Sequence, residues 1–470
     1  MCGIIGIYGN PEAATLAYLG LYAQQHRGQE GAGIVSMDGA VVHRHMGEGL
    51  VSEVYHDPAD LKRLRGTSAI GHTRYSTTGG LDTKNVGPLL FNVRNEPVSI
   101  AHNGNLVNLT ALRSKLQAEG AIFQTTTDTE LLVHLLARGP EEALADRLPR
   151  ALEQVEGAYS LLILSPEGLL VARDPHGWRP LAIGKLKETW VLASETCALD
   201  LIGAEELREV EPGEILVIDG KGLRTVTHLP PGQLAHCIFE YIYFSRPDSR
   251  IYGANVDKMR RRLGNALARE APAPTADIVI AVPDSSNTAA IGYAQESGLR
   301  HDIGLIRNHY VGRSFIRPQQ DLRDLTVKLK FNPVRGVLEG KEVVVVDDSI
   351  VRGTTMRSLV KLLRQAGVKK VHVRVSSPPI HHSCYFGLDF PTSEELIAGT
   401  RTSAAIATFL GVDSLAYLSM AGMLASMDHD PGHFCTACFS GEYPVEIHDV
   451  PRKDMFETSS SPASVELPAG

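Results

Sequence analysis

Two adjacent carboxylates, Asp347 and Asp348, follow an apolar β-branched run at 343–346 in KEVVVVDDSIVRGTT, residues 341–355. The run is too short for a helix and reads as a strand buried on both faces of a parallel sheet. Open α/β sheets bind ligands beyond the carboxyl ends of their strands, where these acids fall. The next residues, Ser349, Ile350, Val351, Arg352, Gly353, Thr354 and Thr355, bring hydroxyls, small side chains and accessible backbone N–H groups. They precede a helix whose apolar positions are Met356, Leu359, Val360, Leu363 and Ala366, and a helix N-terminus favours an anion such as phosphate. The ordinary alternative is an Asp-rich turn capping a helix. No G-x-x-x-x-G-K-[ST] pattern stands at this junction, so a nucleoside triphosphatase is not implied.

A second chemistry sits at the front of the chain. Removal of Met1 would leave Cys2 with a thiol and a free α-amine on one residue, and an amine pKa of about 7.7 to 8.0 suits a base near neutrality. Farther on come the clusters His26-Arg27-Gly28-Gln29, Gly71-His72-Thr73-Arg74, Ala101-His102-Asn103-Gly104-Asn105 and Thr127-Asp128-Thr129-Glu130. Each member has a plain structural reading: Cys2 as a strand cysteine, Arg74 as a surface ion pair, Asn103-Gly104 as a type I′ turn, Asp128 as a helix N-cap.

A chain of 470 residues divides into two or three domains, and 43% hydrophobic residues suffice for packed cores. No apolar run approaches a membrane span and no basic-then-apolar signal segment opens the chain, so a cytoplasmic protein without a membrane is expected. A net charge of -8 argues against a nucleic-acid binder. Six cysteines in so long a chain point to metal or catalytic use rather than a disulfide framework. Helices are expected at 12–25, 131–137 and 142–154, and strands at 34–37, 158–164 and 215–218. Beyond a Pro/Gly linker near 229–232, strands are expected at 277–282 and 371–375. Cys237, Cys384, Cys435 and Cys438 are four possible thiolate ligands, whose spacing allows tetrahedral zinc or an iron–sulfur cluster. Cys197 reads as a core residue.

The front motifs resemble, segment by segment over about residues 2–230, the glutaminase domain of the N-terminal-nucleophile (Ntn) class II amidotransferases. The resemblance implies an α+β four-layer αββα sandwich. It also implies roles: Cys2 attacks the glutamine amide, Asn103 and Gly104 form the oxyanion hole, Arg74 holds the α-carboxylate and Asp128 the α-ammonium. Arg173-Asp174-Pro175-His176-Gly177-Trp178-Arg179-Pro180-Leu181 resembles the DPxGxRPL motif of the same group and reads as a structural turn.

The Asp347-Asp348 stretch resembles the type I phosphoribosyltransferase signature, an α/β parallel-sheet fold, with residues 347–355 taking phosphoribosyl pyrophosphate (PRPP). The segment His236-Cys237 to Ser249 resembles the glutamine PRPP amidotransferase family specifically. That resemblance places magnesium at Ser285, Asp347 and Asp348, and a closing loop with Arg307, Arg313, Lys328 and Lys330, of which Lys328 is a PRPP contact. His309 is not assigned a pyrophosphate contact. It also tips the four cysteines toward a [4Fe-4S] cluster, and implies a homotetramer with purine-nucleotide feedback. The expected domains are 2–230, 231–445 with the cluster segment, and a loosely ordered tail at 446–470. The expected activity is that of a glycosyltransferase (pentosyltransferase): glutamine hydrolysis at Cys2, with ammonia passed to PRPP to give 5-phosphoribosylamine, glutamate and pyrophosphate. The rivals are another class II amidotransferase and a non-catalytic PRPP-sensing iron–sulfur protein.

Overall fold

The computed structural model describes residues 1–76, 78–80, 82–309, 329–448 and 456. Two antiparallel sheets form its first half. One runs, edge to edge, Glu205–Glu209, Ala182–Leu186, Thr189–Ala193, Gly3–Tyr8, Ser68–Arg74, Gly31–Asp38, Val41–Glu48. The other runs Gly222–His228, Glu214–Asp219, Gly168–Arg173, Gly157–Ser165, Glu96–Leu106, Leu89–Val93. Strand alternation sorts their side chains by face. Ile4, Ile70, Ala101, Leu162 and Leu192 meet between the sheets. Ile5, Ile7 and Ala69 face the other way, onto the helix Ala13–Ala23. On the second sheet, Ile100, Leu106, Leu161 and Ile163 pack outward against the helices Thr129–Arg138 and Leu144–Leu152. The result is the four-layer sandwich expected of an Ntn-type amidotransferase domain. The expected elements are present with ends shifted by a few residues, as fraying and caps ordinarily cause.

The second half is built on a five-stranded parallel sheet in the order Arg300–His301, Ile278–Ala281, Glu342–Asp347, Lys370–Val375, Ser414–Tyr417. Its central strand is fully buried from Val343 to Val346, as a strand covered by helices on both faces must be. Asp347 is the last residue of that strand, and the helix Thr354–Gln365 begins seven residues later, so the intervening loop lies at the carboxyl end of the sheet. Gly353 sits at that helix's N-terminus with φ +74°, and a Cβ there would lie 2.6 Å from Ile397 Cδ1. Only glycine meets both demands.

Candidate active site

The interior positions of three strands bring the first site together. Cys2 precedes Gly3–Tyr8 in the register of Ile4; His72 and Arg74 share the face of Ile70; Asn103 and Asn105 share the face of Ala101. The backbone N–H of Cys2 donates to Asn103 Oδ1 at 3.1 Å. The Nδ2 of that amide is buried and has no partner among the described residues. A buried unsatisfied donor is costly, and one placed beside a nucleophile is what a developing oxyanion requires. Asn103-Gly104 is therefore no hairpin turn: both residues lie inside the strand Glu96–Leu106. A Cβ on Gly104 would come 1.9 Å from Ala158 O, so the close approach of the neighbouring strand demands glycine.

Burial acts to push the Cys2 thiol up, but the His72 imidazole, and then the N-terminal charge and the Tyr75 backbone, outweigh it and bring the thiol down to about 6. Met1 is present and 1% exposed, with its sulfur against the Arg27 and Arg179 guanidinium groups. Its α-amine is driven down to about 5, chiefly by burial.

Arg74 is buried and turned toward main-chain carbonyls, those of Asn85 at 2.7 Å and Gly79 at 2.9 Å. Asn85 in turn bonds Thr126 through both side-chain atoms, tying the loop after Arg74 to the loop before Asp128. Asp128 stands at the start of the helix Thr129–Arg138 but makes no cap bond there. Its Oδ2 accepts instead from the Leu106 N–H at 3.1 Å, and its Oδ1 lies 3.7 Å from His102 Nδ1. Burial opposes its ionisation, yet the imidazole and that N–H hold the carboxyl below its usual range. Arg74 is thus a buried guanidinium and Asp128 a buried carboxylate, opposite charges of the kind that an amino acid's α-carboxylate and α-ammonium would match.

The second site lies at the strand end. Ser285 Oγ donates to Asp348 at 2.6 Å, Ser349 Oγ to the other oxygen of the same carboxylate at 2.6 Å, and Ser286 Oγ to Asp347 at 3.1 Å. Burial, and for Asp347 the charge of its neighbour, raises both carboxyls above their usual range. Two carboxylates and a hydroxyl at one point are a hard oxygen donor set of the kind magnesium takes. Arg307 reaches over this turn to Asp284 at 2.8 Å. Arg352 turns outward to Glu395 at 3.3 Å, leaving the hydroxyls and backbone of the loop to line the strand end. Lys328 and Arg313 lie outside the described residues, as does most of the tail.

Two family models match the chain, a glutamine amidotransferase domain at residues 72–201 and a phosphoribosyl transferase domain at 263–378. Over 453 residues the chain is 49% identical to the amidophosphoribosyltransferase of Bacillus subtilis strain 168, covering 95% of this chain and 94% of that protein. The chain belongs to the amidophosphoribosyltransferase family. Its reaction is the glutamine-dependent one that opens purine biosynthesis. Similarity extends to the chloroplastic amidophosphoribosyltransferase 1 of Arabidopsis thaliana, at 51% identity over 96% of this chain and 79% of that protein. Among solved structures, the glutamine PRPP amidotransferase of B. subtilis complexed with ADP and GMP superimposes with a TM-score of 0.90 at 48% identity, covering 96% of this chain and 99% of that one. The match across both halves sets aside a class II amidotransferase with a different second domain.

The four cysteines that the amidophosphoribosyltransferase resemblance singled out line one cavity, with Trp178 and Arg179 on its glutaminase side. None is in a disulfide. Burial and mutual repulsion, joined at Cys237 by the Glu240 charge, push Cys237 up to about 11 and Cys435 up to about 12. Cys438 is raised as well, and thiols that resist ionisation in one place suit a polycationic centre that would take them as thiolates. Among the described residues, no three His, Cys, Asp or Glu side chains gather closely enough to hold a single ion. Tetrahedral zinc would need sulfurs about 3.8 Å apart, given bonds of about 2.3 Å. A cluster spreads its thiolates over separate irons and asks for no such close approach.

Sequence reasoning passed over the charges that join the halves of this amidophosphoribosyltransferase. Arg27 is fully buried, 2.5 Å from Glu195 and 2.8 Å from Glu240, and its Nε donates to the Cys2 carbonyl at 3.0 Å. Arg27 appeared only in a cluster after a helix and Glu240 only in a family segment; 213 residues separate them. A charged residue inside an otherwise apolar run, as Glu240 is in Ile238-Phe239-Glu240-Tyr241-Ile242, was the available signal.

Proposed function

We propose that Cys2, freed of Met1, attacks the amide carbon of glutamine. Its own α-amine carries the thiol proton to the leaving nitrogen, and water then cleaves the glutamyl thioester. Asn103 Nδ2 and the Gly104 N–H receive the oxyanion, Arg74 the substrate carboxylate and Asp128 its ammonium. For Arg74 this means exchanging main-chain carbonyls for the substrate. The released ammonia adds to ribose C1 of PRPP as pyrophosphate departs. The loop from Asp347 to Thr355 holds the ribose and 5-phosphate, and Lys328 reaches the pyrophosphate. Magnesium held by Ser285, Asp347 and Asp348 would supply charge neutralisation for the diphosphate. Cys237, Cys384, Cys435 and Cys438 would hold a [4Fe-4S] cluster. The glutaminase half closes near residue 230 and the phosphoribosyl half near 445. A homotetramer in the cytoplasm, inhibited by purine nucleotides, completes the reading; ADP and GMP in the B. subtilis relative support the last point.

The observation that carries this reading is the Asn103 amide, one end on Cys2 and the other an unspent buried donor. The test is Cys2→Ala. It should abolish glutamine-dependent phosphoribosylamine formation while ammonia-dependent formation continues, and loss of both would sink the division of labour. Iron and sulfide content with the visible spectrum tests the cluster, and a colourless zinc protein would overturn it.

A further inference from the structure

The outer face of the glutaminase half carries a buried arginine with an unspent donor. Arg113, on the helix Leu109–Ala118, is 8% exposed; its Nη2 donates to the Thr125 carbonyl at 3.2 Å, and its Nη1 is buried with no partner among the described residues. Two aromatic rings hold it. Its Cζ lies 3.9 Å from the centre of the Phe123 ring and 4.4 Å from that of Phe456, both within cation–π range. Phe456 comes from the far end of the chain and packs on the core outside the second sheet, the one that contains Leu109 and Leu116.

The chain is led to this place. Tyr443, Val445 and Ile447 pack with Val107 and Ala158 of the glutaminase half, and His448 reaches Glu156 at 3.3 Å. Val107 stands just before the helix that bears Arg113. The step from His448 to Phe456 allows an extended reach of at most about 29 Å, whereas that helix is about 15 Å long. Beside the Phe456 ring lies a groove of about 690 Å3, lined by Lys84, Ser114, Gln117, Ile122 and Thr126 among others. Ile122 is 82% exposed there, so apolar surface remains to be covered.

We propose that this groove is the docking site of the chain's own C-terminal segment, anchored by Phe456, and that docking secures the loop 123–128 for glutamine binding. The second part rests on Arg74 and Asp128 being the ligands of glutamine. The contacts run from the ring to both. Arg113 holds Thr125, whose N–H and Oγ bond Glu130 at 2.6 and 2.8 Å; Thr126 is tied to Asn85 through both side-chain atoms of that amide, and the Asn85 carbonyl accepts from Arg74. Phe456 touches no substrate and is a positioning residue. A tail residue that merely covered apolar surface would need no guanidinium beneath it, and this guanidinium bonds the loop itself.

The test compares full-length wild type, Phe456→Ala and Phe456→Tyr by amide hydrogen exchange over residues 109–128. Loss of the ring should speed exchange at 113–127 about three- to tenfold, the scale of one such stack, and tyrosine should restore protection. In steady-state assays Phe456→Ala should raise the KM for glutamine about threefold or more, with kcat within about twofold and ammonia-dependent synthesis unchanged. p-Benzoylphenylalanine in place of Phe456 should cross-link to residues 110–126 in a product of single-chain mass. Cross-links between two chains would show that another copy fills the groove, and overturn docking within the chain. Unchanged exchange in Phe456→Ala overturns the anchor, and faster exchange with an unchanged KM overturns the link to glutamine. Asp128→Asn leaves the tail untouched and should raise the KM for glutamine by itself; if it does not, the ligand reading fails while the exchange result still decides the docking.

Discussion

At the scale of single residues, Asn103 is asked to do two things, to hold the Cys2 backbone and to receive a negative oxygen. Asn103→Ala removes the unpartnered buried side-chain donor next to the nucleophile and leaves the Gly104 N–H. Glutamine-dependent kcat should then fall about 10²- to 10³-fold, equivalent to about 2.7–4 kcal/mol, with KM for glutamine little changed. Steady-state glutamate release checks this, and an equal rise in KM would mean that Asn103 acts in ground-state binding instead. The residue was legible in the sequence because it carried a recognisable neighbour, Gly104. Arg27 was not, although it stood in a quoted cluster. What distinguishes it is its pair of buried carboxylate partners, Glu195 and Glu240, which meet it only once the chain has folded.

At the scale of elements, the strand Glu342–Asp347, its loop and the helix Thr354–Gln365 form one unit whose geometry turns on Gly353. Gly353→Ala must either abandon φ +74° or displace Ile397, and either movement spoils the backbone cradle for phosphate. The KM for PRPP should rise about tenfold or more in ammonia-dependent synthesis. Unchanged PRPP kinetics would remove the loop from the phosphate site. Gly264 tests packing in the same way. The helices Val256–Glu270 and Asn287–Ser297 cross so closely there that a Cβ would sit 1.9 Å from Ala289 O. Gly264→Ala should cost about 1–3 kcal/mol, read as a lower urea midpoint, with no change in chemistry expected of the folded protein. The strands and helices themselves were readable from apolar runs and helical spacing, which depend on neighbours in the chain. Asn103-Gly104 shows the limit. A dipeptide that favours a hairpin turn sits mid-strand, because the pairing partner Tyr159-Ser160 is set by tertiary contact and overrides local turn preference.

At the scale of the whole molecule, the halves are joined by charges rather than by apolar contact alone. Glu195 accepts from Arg27, the Arg246 N–H and Ser249; Glu240 accepts from Arg27 and from Ser245 Oγ at 2.7 Å. All of Arg27, Glu195 and Glu240 are buried. Burial alone would raise both carboxyls, but the arginine, with His26 at Glu195 and Arg179 at Glu240, holds them below the usual glutamate range. In the unfolded chain the same groups titrate near 4.3. The folded state therefore gains stability from them above about pH 4.3, and loses it as the pH falls from there toward the lower folded values. Asp347 and Asp348 are raised instead, so acid acts on them in the opposite sense and the total pH dependence cannot be assigned to the junction without a variant. Glu240→Gln supplies it. The substitution leaves Arg27 and Arg179 buried with one carboxylate fewer, and losing one partner of such a set costs about 3–5 kcal/mol. Urea unfolding at pH 7 should show that deficit against wild type. Below about pH 4.3 the gap should narrow, because the unfolded wild-type chain takes up the proton that the folded carboxyl, held lower, still refuses. A gap that stays constant from pH 7 to pH 3 would mean that Glu240 holds the halves together by shape and hydrogen bonding, and that its charge is immaterial.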